Sequence, residues 1–117
     1  IVDNIGTLAG AVVCKGGAKS VTLKNCLIEN NYSRNTGAIA FGCPLYITNC
    51  VIANNHGWGG AGAIYGYDAG CSGDRATIVN STIVDNWSYE YGAIYFEDIG
   101  SKQLTNCIIR NKVIKRN

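Results

Sequence analysis

A seven-residue motif recurs through this chain and constrains its fold more than any other feature. Its four copies are Asn25-Cys26-Leu27-Ile28-Glu29-Asn30-Asn31, Asn49-Cys50-Val51-Ile52-Ala53-Asn54-Asn55, Asn80-Ser81-Thr82-Ile83-Val84-Asp85-Asn86 and Asn106-Cys107-Ile108-Ile109-Arg110-Asn111-Lys112. Their starting points, Asn25, Asn49, Asn80 and Asn106, are spaced as the units of a solenoid are. A second block, Gly37-Ala38-Ile39, Gly62-Ala63-Ile64 or Gly92-Ala93-Ile94, falls near the middle of each interval. The N-terminus carries the tail of another copy, Ile1-Val2-Asp3-Asn4, with Gly10-Ala11-Val12 behind it. A unit this short cannot bury a core alone, so its copies must stack. The 117 residues therefore read as one domain, 1–117, of about four to five coils.

Each block suits a short strand. Val21-Thr22-Leu23, Leu45-Tyr46-Ile47-Thr48 and Ala76-Thr77-Ile78-Val79 are β-rich runs punctuated by Gly and Asn, which argues against helices. Stacked parallel coils repeat every ~4.8 Å and turn the motif into columns. The apolar columns are Ile1/Ile28/Ile52/Ile83/Ile109 and Val12/Ile39/Ile64/Ile94, beside a column of small residues, Cys26/Cys50/Ser81/Cys107. An amide offers donors and an acceptor at that spacing, and Asn tolerates the αL conformation of a sharp corner. Asn ladders are thus expected at Asn25, Asn49, Asn80 and Asn106, and at Asn30, Asn54 and Asn111. This accounts for 13 Asn and 15 Gly, while the single Pro fits a backbone committed to ladders. No capping helix is evident at either end.

The paired blocks resemble the right-handed parallel β-helix of the pectate-lyase-like superfamily, and in particular the polymorphic outer-membrane-protein repeats of bacterial surface adhesins. Those repeats carry Gly-Gly-Ala-Ile and Phe-x-x-Asn. Here the first glycine is Ala9, Thr36, Ala61 or Tyr91, and the Phe position is aliphatic. The resemblance spans essentially the whole chain and implies an all-β solenoid. The fold hosts enzymes, adhesins and fibres alike, so activity must be argued from sites.

Six cysteines suggest an oxidising, extracellular or cell-surface setting. Cys14, Cys43 and Cys71 share one region of the coil, and Cys14–Cys43 is the first pairing expected among 15 connectivities. Cys26 and Cys50 on adjacent coils lie within bridging distance, or they form a column of buried thiols with Cys107. With one His and no Cys-x2-Cys, a zinc site is not expected. Three glycosylation sequons begin at Asn31, Asn80 and Asn86. Asn80 reads as a buried ladder residue, which leaves Asn31 and Asn86 as the candidates. Eight carboxylates offer one plausible cluster, Asp68, Glu97 and Asp98, a weak Ca²⁺ candidate. No catalytic residue and no cofactor is expected.

Between the Asn and Gly corners lie Tyr32, His56, Trp58, Trp87, Tyr89 and Tyr91, which should stack along one edge. Such an edge suits sugar rings or a protein partner. Tyr65, Tyr67 and Tyr95 form a second stripe. Net charge is +2, too weak to argue for nucleic acid. No apolar run is long enough for a helix to span a membrane. Residue 1 is not Met, so a processed chain or an excised segment is expected. The end segments, Ile1, Val2 and Asp3 against Leu104, Cys107, Ile109 and Arg110, read as complementary half-coils. Arg110, Lys112, Lys115 and Arg116 give the C-terminal end a charge of +4, against −2 elsewhere. The expectation is a structural or adhesive subunit that stacks head-to-tail with copies of itself. A glycan-binding segment of a longer surface protein is the alternative.

Overall fold

The computed structural model describes residues 1–17, 19–67, 75–97 and 99–113, with side chains to residue 110. The described residues form strands and turns without a helix, so none is long and apolar enough to cross a membrane. The first coil contributes β1 (Ile5–Gly6) and β2 (Val12–Cys14). The second runs β3 (Val21–Lys24), β4 (Leu27–Glu29), β5 (Tyr32–Ser33) and β6 (Ile39–Phe41). The third repeats this order as β7 (Leu45–Thr48), β8 (Val51–Ala53), β9 (His56–Gly57) and β10 (Ile64–Gly66). Then come β11 (Arg75–Val79), β12 (Thr82–Ser88), β13 (Ile94–Phe96), β14 (Ser101–Thr105) and β15 (Ile108–Val113).

All pairings are parallel, and each joins one coil to the next. The sheets are β2-β6-β10-β13, β3-β7-β11-β14 and a seven-stranded sheet containing β1, β4, β5, β8, β9, β12 and β15. The result is a parallel β-solenoid of about four turns. Ile28, Ile52, Ile83 and Ile109 stand in register, as do Val12, Ile39, Ile64 and Ile94. Period-2 alternation places Leu45 and Ile47 inside with Tyr46 and Thr48 facing outward. The core also holds Phe41, whose ring meets Phe96 edge-on at 6.0 Å. Gly66 lies between them in register, and a Cβ there would meet the Phe41 ring at 2.6 Å.

The corners use the residues the repeat singles out. Asn25, Asn49, Asn80 and Asn106 all have φ between 50° and 55°. Asp3, Asn30, Asn54 and Asp85 form the second left-handed corner, with φ between 54° and 57°. Glycine makes the third corner through close approach. A Cβ on Gly37 would lie 2.0 Å from the Gly62 carbonyl oxygen.

The buried amide ladder is one residue beyond its expected place. It runs Asn4–Asn31–Asn55–Asn86 rather than through Asn30 and Asn54. Each Nδ2 donates to the next Oδ1, at 2.9, 2.9 and 2.8 Å. The same Oδ1 atoms accept the backbone N–H of Asn4, Asn31 and Asn55. The second amide hydrogens of Asn31, Asn55 and Asn86 go to the carbonyls of Ile1, Ile28 and Ile52. The αL residue turns its own side chain outward, and the next residue points into the core. Asn111 departs too. It pairs with Asn86, not Asp85, because the register shifts between Val84 and Asn86. At the first corner, Asn106 Nδ2 donates to Asn80 Oδ1 at 2.6 Å, on the exposed surface.

Cys14 and Cys43 form a disulfide, as expected. Cys26 and Cys50 do not bridge. Cys26, Cys50 and Cys107 are free thiols. Each donates to the carbonyl two residues before it, at 3.3 Å, and Ser81 makes the same bond at 2.9 Å. A hydroxyl can therefore replace a thiol in this column.

The first and last described strands occupy equivalent places in the coil rather than complementary halves of it. Val2 bridges Glu29 and β1 pairs with β5, while β15 pairs with β12, so both ends carry a segment of the same sheet. An unbroken spiral across a junction of two copies would place two segments in one position.

Replacing Asn55 by Ala leaves up to four buried polar groups without partners. The expected loss is about 2–4 kcal/mol in urea unfolding. Breaking the disulfide by Cys14→Ser is expected to cost about 3–4 kcal/mol from loop entropy. Both are read from the shift of the denaturation midpoint.

Candidate functional site: an aromatic corner

Just past the amide ladder, alternate residues face outward. Register aligns Tyr32 of β5, His56 of β9 and Trp87 of β12. Two residues on, Arg34, Trp58 and Tyr89 follow in a second outward column, with Trp58 N–H bonded to the Ser33 carbonyl at 3.2 Å. The two columns make a strip, two residues wide, across three coils. Inward-pointing Ser33, Gly57 and Ser88 are buried behind it.

His56 sits at the centre. Its ring stacks on Trp87 at 19° and on Trp58 at 26°, and it meets Tyr32 edge-on at 5.0 Å. Trp58 in turn packs on Tyr89 with centroids 4.5 Å apart. Burial among these rings pushes the His56 pKa below its ordinary 6.5. His56 Nε2 is buried without a hydrogen-bond partner, which also disfavours a second N–H there. At one side of the strip, Tyr32, Arg34, Trp58 and Gly59 line an open cleft of about 420 Å³.

Tyr91 does not join this edge. It stacks on Tyr95 at 4.0 Å, and Tyr95 stacks on Tyr65 at 5.6 Å. These rings form the second stripe with Tyr67. The Tyr65 hydroxyl donates to Glu97, and its pKa is pushed up to about 12, first by burial and then by that carboxylate.

Other expected sites fare differently. Asn31 and Asn86 are 1% and 0% exposed, and their amide nitrogens donate within the ladder, so neither has room for a glycan. The third sequon is the accessible one, since Asn80 is exposed rather than buried. Of the Ca²⁺ candidates, Asp68 and Asp98 lie outside the described residues, as does Cys71. Glu97 is exposed and bonded to Tyr65. The described residues hold no group of three metal-binding side chains. Arg110 forms an exposed ion pair with Asp85 at 3.3 Å, a contact of little energetic weight. The Cys50 thiol is pushed up chiefly by burial, so it stays protonated and unreactive at neutral pH.

The sequence reading omitted Arg34 and Gly59. Arg34 was findable, because Arg34, Trp58 and Tyr89 all lie two residues past an aligned aromatic. Gly59 had no signal in sequence. No family model, no curated protein and no solved structure matches the chain.

The depressed His56 pKa gives stability a pH dependence. The unfolded chain takes up the proton near pH 6.5 and the folded chain only at lower pH. The stabilising contribution is complete above that value and is lost as pH falls through the folded pKa. The wild type is expected to lose more Tm between pH 7.5 and pH 5 than His56→Phe, measured by calorimetry.

Proposed function

We propose that this chain is an extracellular structural and adhesive β-solenoid that binds carbohydrate along its aromatic corner. One observation carries the reading. Six outward side chains, five of them aromatic or imidazole rings, form a continuous strip on coils locked together by buried amides. Trp58 presents 37% of its surface to solvent. Aromatic faces in an open strip suit the C–H faces of pyranose rings, and a rigid backbone limits the entropy lost on binding. The disulfide suits an oxidising compartment. The likeness of the repeats to those of surface adhesins of the pectate-lyase-like β-helix class points the same way.

Head-to-tail stacking of copies is the second reading. It is favoured by apolar rims on parallel edge strands, with Ile5 82% and Ile108 64% exposed. Because both ends carry the same sheet segment, stacking requires Ile1–Gly6 or β15 to give way. Sedimentation should then show assemblies that grow with concentration and vanish on deletion of residues 103–117. A chain that remains monomeric at every concentration removes this reading.

For the carbohydrate reading, a glycan array should return a defined set of ligands for the wild-type chain. Trp58→Ala should lose them at least about tenfold while its Tm stays near wild type. An array with no ligand rejects it.

A further inference from the structure

Gly59 is a glycine that the fold leaves unexplained. A Cβ on Gly10, Gly37 or Gly62 would lie 2.2, 2.0 or 2.4 Å from backbone of the neighbouring coil. Gly17 and Gly92 have φ of 95° and 78°, where a side chain is strained. At Gly59 the nearest atom is the Arg34 carbonyl oxygen at 3.6 Å, an ordinary contact, and its φ is not left-handed. A side chain is sterically allowed there, at a residue that lines the cleft with Tyr32, Arg34 and Trp58.

Arg34 is the second unexplained residue. It projects from the strip column shared with Trp58 and Tyr89, exposed to solvent. Among the described residues the ion pair formed is Arg110–Asp85, and no carboxylate neutralises Arg34. A guanidinium beside an indole face combines a planar two-pronged donor with a stacking surface.

We propose that this cleft is a subsite for an anionic sugar. A pyranose ring lies on the Trp58 indole, a carboxylate or sulfate on that ring is held by Arg34, and Gly59 leaves the ring its space. The inference rests on the carbohydrate reading of the strip and adds the charge of the ligand and the place where it is read. The cleft volume of about 420 Å³ lies in the range of small-ligand sites. Three coils at ~4.8 Å spacing extend the strip about 10 Å, so a chain of rings can continue from Trp58 towards Tyr89. An open site screens the ion pair, so binding weakens as salt rises.

The test is calorimetric titration of the intact chain with a hexuronate oligomer, a sulfated oligosaccharide and a neutral gluco-oligosaccharide, at low and high salt. At low salt at least one anionic probe should bind about tenfold tighter than the neutral one, the scale of a charge-assisted hydrogen bond. Whichever anion wins identifies the group that Arg34 reads. Arg34→Gln should remove that advantage, so that the anionic and neutral probes bind it alike. Gly59→Val should weaken all probes that bind, with Tm preserved. Arg34→Gln decides alone if Gly59→Val fails to fold, because the Arg34 side chain is exposed. Equal binding of anionic and neutral probes, unaltered in Arg34→Gln, overturns the anionic subsite and leaves the carbohydrate reading intact. Unaltered binding in a folded Gly59→Val overturns the placement in this cleft. Binding of no carbohydrate at all overturns both.

Discussion

The buried amide ladder is the interaction on which the remaining structure depends. Asn4, Asn31, Asn55 and Asn86 meet one another through it, and Asn31, Asn55 and Asn86 sit where water cannot reach. An unpaired amide there would cost several kcal/mol. Each is satisfied only if the neighbouring coil is in register, because its oxygen must meet both the backbone N–H and the amide of the adjacent Asn. A one-residue slip breaks these bonds together. The ladder therefore sets which Ile stands over which, and holds the apolar column Ile28/Ile52/Ile83 in line.

The same ladder positions the surface that faces solvent. Tyr32, His56 and Trp87 each directly follow a ladder Asn, so their spacing is inherited from the amide stack. A surface strip built this way would lose little freedom on contact with a ligand. The glycines divide along similar lines. Those at the Gly corner are required by backbone approach of adjacent coils, whereas a Cβ at Gly59 would make only an ordinary contact with the Arg34 carbonyl oxygen. Close steric approach accounts for the first group and does not account for Gly59.

The apolar columns and left-handed corners were legible in the sequence because both depend on local pattern. Asn and Gly are the residues that tolerate such corners, and Ile recurs at fixed offsets from them. The ladder was misplaced by one residue for an equally local reason. An αL residue reverses the in–out alternation, so Asn30 turns outward and Asn31 inward, against simple period 2. That reversal also removed Asn31 and Asn86 as glycan acceptors. Tyr91 was grouped with the wrong aromatics because the chain turns at Gly92 before Tyr95, and the ring folds back onto that strand.

The repeat alone determined that this chain is a stack of short parallel strands with Asn and Gly corners. Its spacing is a property of consecutive residues and survives without knowledge of the neighbouring coils. Only the tertiary structure decided which Asn is buried, that Cys14 joins Cys43 while Cys26 and Cys50 remain free, and that Arg34 stands beside Trp58. Those outcomes depend on where one coil settles on the next, a full turn of the solenoid away along the chain. At that range hydrogen-bond satisfaction and steric fit across coils, rather than sequence period, choose the partner.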